Sequence, residues 1–241
     1  MSATVAANRY SSYFGVTKAP IFVGVRCHAI HEYFSDDIAQ KLNFEKQDRD
    51  MLRSITDKCL KSKCTSAPNR QYMTSLYEIS VQIVLEVGVP GTSILVFVPG
   101  MHDIIEITDL FDTIVSDIHY RVIPIHSDIP FEDQMNAFDI AQRNEVKVIV
   151  ATNAAESSIT LPDVDNVICF GLCKAITYNE LSHRQMLETT WISRASAVQR
   201  AGRTGRCREG HVYRLYPRYA FEKNFIPFDE GEILRSPLDS V

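Results

Sequence analysis

Short apolar runs rich in valine and isoleucine recur along the chain at residues 94–98, 122–125, 146–150, 167–170 and 212–216. Runs this short, with few polar interruptions, have the pattern of strands buried on both faces of a parallel sheet. Between them, residues 103–116 and 131–143 carry apolar positions at three- and four-residue spacing, which predicts amphipathic crossover helices. Strand alternating with helix predicts a doubly wound α/β domain. Upstream, residues 71–87 read as a long helix and 44–63 as a polar one. The lysine- and serine-rich stretch 61–70 between them predicts a mobile, solvated insertion rather than a site. Two β-type runs, 175–178 and 189–192, flank the polar segment 179–185 and predict a projecting hairpin. The single tryptophan, Trp191, lies on its return arm and is expected to pack rather than to stack on a base.

Composition narrows the class. With 241 residues, 45% of them hydrophobic, the chain can bury a sizeable core in one or two globular domains. A net charge of −5 excludes gripping nucleic acid by bulk charge, so any such contact must come from a local surface. Six cysteines without a CxxC pair predict reduced thiols and an intracellular setting, cytoplasmic or nuclear. The N-terminus shows no signal-peptide pattern, and no apolar stretch approaches the roughly 18 residues of a membrane span, so no membrane partner is expected. Cys169, Cys173, Cys27-His28 and His31 fit no zinc spacing, and no metal site is predicted.

Candidate chemistry concentrates in two segments. The run Gln199-Arg200-Ala201-Gly202-Arg203-Thr204-Gly205-Arg206 places three arginines in seven positions. Each guanidinium keeps its charge and needs several acceptors, and phosphate supplies them best. On a helix, Gln199, Arg203 and Arg206 would share one face, with Gly202 and Gly205 admitting a partner closely. The rival reading, a solvated basic helix, leaves two destabilising glycines without a purpose. The second segment, Val150-Ala-Thr-Asn-Ala-Ala-Glu-Ser-Ser-Ile-Thr160, follows an apolar run with hydroxyl and amide side chains, where open α/β sheets bind ligands. It suits phosphate contacts, and it suits an ordinary strand-to-helix turn with a Thr or Ser cap equally well.

Together these segments resemble motifs VI and V of the DEAH/DExH-box RNA helicases of superfamily two, in the same order. Ile94-Leu-Val-Phe-Val-Pro-Gly100 with Asp103-Ile104 resembles motif IV, and Ile125-His-Ser127 with Ile129-Pro130 and Gln134 resembles the segment called IVa. Met1-Ser-Ala-Thr4 and Tyr13-Phe-Gly15 look like motif III and its sequel, and Glu232-Ile-Leu-Arg-Ser-Pro-Leu238 looks like the start of a winged-helix region. The resemblance implies a RecA-like, doubly wound, mostly parallel sheet with helices on both faces and a projecting β-hairpin. Residues 1–18 would close a first RecA-like domain, 19–217 would form the second, and 218–241 would begin the winged-helix region.

The resemblance also implies roles. Gln199 would position the attacking water, with Arg203 and Arg206 as arginine fingers on ATP. Phe138, Ser158, Thr160 and Asp163 would line the nucleotide. Thr152, Asn153, His126 and Ser127 would contact single-stranded RNA, and Ser2 and Thr4 would couple hydrolysis to RNA movement. Phe138 is at once a candidate for stacking on the base of ATP and an apolar position typical of core. The sequence contains no G-x-x-x-x-G-K-[ST] loop and no D-E-x-H run, so Mg²⁺ ligands are expected from the first domain and no hydrolysis is expected from this chain alone. The alternative is a non-catalytic RNA-binding or interaction module derived from a helicase. Two departures from the family stand out: Ala154 replaces an isoleucine, and Cys169 replaces an acidic residue whose loss would loosen the arginines.

Overall fold

A computed structural model describes residues 12–15, 28–157, 159, 161–179 and 184–229. Among the described residues, eight strands and seven α-helices follow one another from residue 30: β1 (Ile30–Phe34), α1 (Ser35–Lys41), α2 (Lys46–Ser62), α3 (Arg70–Val87), β2 (Ser93–Phe97), α4 (Met101–Asp112), β3 (His119–Ile125), α5 (Phe131–Gln134), β4 (Glu145–Ala151), α6 (Ala154–Ser157), β5 (Val164–Cys169), β6 (Leu172–Asn179), β7 (Arg184–Trp191), α7 (Arg194–Ala201) and β8 (Gly210–Arg214). Six strands form one sheet in the order β1-β8-β5-β2-β4-β3, with every neighbouring pair parallel. Every residue of β2, β4 and β5 is buried, as a two-sided core requires. With right-handed crossovers this order puts α1 to α4 on one face and α5 to α7 on the other.

Local chemistry sets the helix boundaries. Asn69 caps α3 by accepting the Tyr72 amide at 2.9 Å, and the helix buries Leu76, Ile79, Ile83 and Val84 on one stripe. At α4 the carboxylate of Asp103 accepts the Gly100 amide at 2.8 Å and the Tyr77 hydroxyl at 2.5 Å. The motif IV acid therefore anchors a helix start against α3.

Several expectations need correction. Residues 131–143 do not form one crossover helix. The α5 turn passes into a 3-10 turn, Met135–Phe138, and helical structure stops there. The buried ammonium of Lys147 takes the carbonyls of Ala137 and Asp139, and the Ala141 amide donates to Asp163, so groups a helix would pair internally are claimed elsewhere. The stretch 61–70 is not a detached insertion. Helix α2 runs on to Ser62, and the loop after it packs against the hairpin base, where the Trp191 indole N–H donates to the Ser66 carbonyl at 3.3 Å. The edge strand β1 and helix α1 had no counterpart in the hydropathy pattern, because Ile-His-Glu-Tyr-Phe mixes polar and apolar positions on a half-exposed edge.

The hairpin forms as expected, with β6 and β7 antiparallel and Ile176 opposite Leu187. Trp191 packs between the rings of Tyr72 and Phe225 at 6.3 and 5.8 Å. Among the described residues no helix is long and apolar enough to cross a membrane.

Candidate functional site

The proposed RNA residues gather at the carboxyl edge of the sheet. His126 and Ser127 follow β3, and Thr152 and Asn153 follow the neighbouring β4. The two loops are tied by the Thr152 amide, which donates to the Ile125 carbonyl at 3.3 Å. Gln134 clamps the first loop from α5 through its side-chain amide on the carbonyls of His126 and Ile129. The His126 Nδ1 accepts the Asp128 amide at 3.1 Å, so the neutral ring carries its proton on Nε2 and can donate outward. Burial divides the other pair: Asn153 is exposed, whereas Thr152 is 4% exposed and serves the loop through its backbone.

The arginine run lies differently from the sequence expectation. Helix α7 starts at a Ser193 cap and ends at Ala201, so Gln199 is helical whereas Arg203 and Arg206 lie in the turns beyond. This corrects the shared helical face. Gly205 adopts φ +72°, and a Cβ there would meet the Ile30 side chain at 2.6 Å, so this glycine serves the turn's own backbone rather than the approach of a partner. The hydroxyl of Thr204 donates to the Val164 and Asp165 carbonyls at the amino end of β5, which fixes the turn against the sheet.

Arg203 and Arg206 emerge side by side from this turn. Arg203 donates Nη1 to the Ile159 carbonyl at 3.0 Å, and its buried Nε has no partner among the described residues. Arg206 donates Nε to the Gly202 carbonyl at 3.4 Å. Neither makes an ion pair among the described residues, whereas Arg200, Arg208 and Arg214 each do. Burial, and then the neighbouring charge of Arg206, push the Arg203 pKa down against the opposing attraction of Glu156.

Arg200, between them in sequence, has the opposite fate. It is fully buried, pairs with Glu156 at 3.1 Å, donates to the Leu172 carbonyl at 3.0 Å and lies over the Phe97 ring at 4.9 Å. Its Nη1 stands 3.8 Å from the Cys169 sulfur, and its Nη2 has no partner among the described residues. The position where the family carries an acid therefore faces Arg200, not the half-buried pair. The Glu156 carboxylate also accepts the Ser196 hydroxyl at 2.7 Å, which joins the segment after β4 to α7.

The remaining nucleotide candidates sit near the amino ends of β4 and β5. The Asp163 carboxylate accepts from Lys147 at 2.8 Å, Ser93 Oγ at 2.9 Å and the Ala141 amide at 3.1 Å. Its oxygens are thus engaged inside the protein, and its place is that of an anchor for the backbone on either side of Phe138. Phe138 is half-buried at the end of the 3-10 turn. Ser158, Thr160, Ser2 and Thr4 lie outside the described residues. Arg200, expected with Arg203 and Arg206 to seek phosphate, is instead satisfied inside the protein, and sequence reasoning gave no role to Glu156, Lys147 or Gly210; a Cβ on Gly210 would stand 2.2 Å from Thr204 Oγ1, so this glycine makes room for the arginine turn.

A six-stranded parallel sheet with helices between its strands and polar loops at its carboxyl edge defines a RecA-like α/β domain. The crystal structure of the Escherichia coli DEAH/RHA helicase HrpB shares this fold, with a TM-score of 0.71 at 24% identity over 99% of this chain and 26% of that one. The family described as helicase conserved C-terminal domain matches residues 76–208, and the chain belongs to it. Its relatives include the ATP-dependent RNA helicase DHX30 of Homo sapiens, 34% identical over 249 residues covering 100% of this chain and 19% of that protein. The probable ATP-dependent RNA helicase spindle-E of Culex quinquefasciatus is 31% identical over 263 residues, covering 100% and 18%. The chain thus spans about a fifth of the length of these relatives, and the DEAH/DExH resemblance read from its motifs is borne out.

Proposed function

We propose that the chain works as the second RecA-like motor domain of an ATP-dependent RNA helicase, with residues 19–217 forming that domain between the end of a first motor domain and the start of a winged-helix region. It would act in the cytoplasm or nucleus. The observation that carries the reading is the Arg203–Arg206 pair, adjacent, half-buried and without an ion-pair partner among the described residues, Glu156 acting on Arg203 only from beyond contact distance. Charge without an ion-pair partner among the described residues suits a triphosphate, and the Arg203 Nε, without a hydrogen-bond partner among those residues, is the donor such a ligand would satisfy. ATP held there would supply a transferring phosphoryl group, whose spreading charge Arg203 and Arg206 stabilise while Gln199 orients water. Phe138 would cover the base, with Ser158 and Thr160 completing that side.

The carboxyl edge gives the RNA track: Asn153, His126 and Ser127 donate toward backbone phosphates, and Thr152 holds their loop. Ser2 and Thr4 would couple the two surfaces. Mg²⁺ and the phosphate loop come from a partner domain, because the sequence holds neither a phosphate loop nor a D-E-x-H run.

The test is RNA-stimulated ATP hydrolysis in a polypeptide that joins this chain to a phosphate-loop domain. Arg203→Ala is expected to lower kcat by about 10³-fold or more while RNA affinity stays within about a factor of two. An unchanged kcat would overturn the arginine assignment. RNA-stimulated hydrolysis by the chain alone, abolished by the same substitution, would overturn the need for a second domain.

A further inference from the structure

Away from both surfaces, the chain holds two thiols that the motor chemistry does not use. Cys59 lies near the end of α2 and is 1% exposed. Lys63 and Cys64 follow with φ of 50° and 58°, two successive left-handed residues that are not glycine. This turn folds the chain back over the helix end and brings the sulfurs of Cys59 and Cys64 to 3.5 Å from one another. Backbone of this kind is unfavourable for residues with a Cβ, and here it places one thiol on the other.

The two thiols are unequal. Cys64 is half-buried and opens onto a groove of about 490 Å³ lined by Ser66, Pro68, Trp191, Asn224 and Phe225. Hydrogen bonds from Cys59, and to a smaller extent from Asn224, hold the Cys64 thiol below its ordinary pKa against the effect of burial. The hydrogen bond to Cys64 and then burial push the Cys59 thiol well up. An accessible thiol that ionises readily, backed by a buried neighbour, is the arrangement of an attacking and a resolving cysteine.

We propose that Cys59 and Cys64 form a redox modification site, in which a hydroperoxide oxidises Cys64 and Cys59 closes a disulfide. The Cys64 thiolate attacks the terminal peroxide oxygen, the O–O bond breaks, and the departing alkoxide or hydroxide leaves as alcohol or water, giving a sulfenic acid. Cys59 then attacks that sulfur, the S–O bond breaks, and the thiol proton leaves with the hydroxide as water. The two thiols lose two electrons and two protons, and the peroxide takes both. Closing the sulfurs to bonding distance takes a movement of about 1.5 Å, within reach of side-chain rotation.

The other described thiols are placed differently: Cys169 is buried against Arg200, Cys173 contacts Thr190, and Cys207 donates to the Pro162 carbonyl. The consequence falls on the hairpin. Ser66, two residues past Cys64, accepts the Trp191 indole N–H, so the disulfide ties the loop that seats the hairpin base to the end of α2.

The test needs neither nucleotide nor RNA, so it stands or falls apart from the motor reading. The 241-residue chain is treated with hydrogen peroxide, its remaining thiols are blocked with iodoacetamide, and it is digested with trypsin without reduction. Cleavage after Lys58, Lys61, Lys63 and Arg70 separates residues 59–61 from 64–70. The expected result is a joined pair of these two peptides, lighter than the two free thiol peptides by two hydrogens and released by dithiothreitol. In Cys59→Ser the link is lost and dimedone traps Cys64 as sulfenic acid. Because that result is read on the parent chain first, a folding defect in the variant cannot mask it. Oxidation of Cys207 while Cys64 remains fully alkylated, or linkage of Cys64 to any other cysteine, would overturn the proposal. Emission from Trp191, the single tryptophan, should shift on oxidation and return on reduction; an unchanged spectrum with the disulfide formed would overturn the consequence for the hairpin.

Discussion

Three cations, Lys147, Arg200 and Arg214, are fully buried, and each meets a carboxylate from another part of the chain: Asp163, Glu156 and Glu32. Taking such charges out of water is costly, so a pair holds only while both members are present. Removing the Glu156 partner with Glu156→Ala strands Arg200 and is expected to destabilise the domain by about 3–5 kcal/mol, read by urea denaturation. A carboxylate introduced at the family's position by Cys169→Asp meets the Arg200 guanidinium through Nη1, 3.8 Å from the Cys169 sulfur, and its effect is expected to stay within about 1 kcal/mol, where an unpaired buried charge would cost several. A loss of several kcal/mol would show that Arg200 has no capacity for a second acid. For Asp163, burial works to raise the carboxyl pKa, but hydrogen bonds from Lys147, Ala141 and Ser93 outweigh it and hold the group low. A depressed pKa means stability that is present above the unfolded value of about 3.9 and lost as pH falls through the folded value. The stability gap between the parent and Asp163→Asn should therefore be full at neutral pH and shrink below about pH 4; a gap independent of pH would remove the pair from that account.

At the scale of elements, the arginine turn depends on glycine more than on helix. The backbone leaves α7 at Ala201, turns through Gly205 at φ +72°, and passes Gly210 at the start of β8. Gly205→Ala forces a Cβ into a left-handed residue against Ile30 and is expected to cost about 1–2 kcal/mol. Gly210→Ala drives a Cβ into Thr204 Oγ1 and the Gly205 amide, at 2.2 and 2.7 Å, and should cost more, about 3 kcal/mol. Thermal or urea unfolding orders the two, and the reverse order would place the main constraint in the dihedral rather than in packing. Legibility varied in the same physical terms. The strands of the central sheet stood out because burial on both faces demands unbroken apolar runs. The edge strand β1 and the truncated helix after Phe138 did not, since one is half-solvated and the other is stopped by a lysine that arrives from β4.

Across the whole molecule, the two candidate surfaces sit at opposite ends of the buried strands. His126, Ser127 and Asn153 lie at the carboxyl edge, whereas the arginine turn is fastened by Thr204 to the amino end of β5. Helix α7 and the segment after β4 both run between these ends, and Glu156 bonds them together through Ser196 and Arg200. That separation explains why an Arg203 substitution is expected to spare RNA affinity. The chain's residue pattern alone determined the α/β class, the core strands, the hairpin and the family, because apolar periodicity and ordered motifs are local properties of the sequence. Only the tertiary structure decided which arginine is sealed inside and which two make no ion pair among the described residues, which of Thr152 and Asn153 meets solvent, and which two cysteines touch. Those outcomes depend on which distant groups share a small volume, and burial and charge pairing there are settled by the fold, not by spacing along the chain.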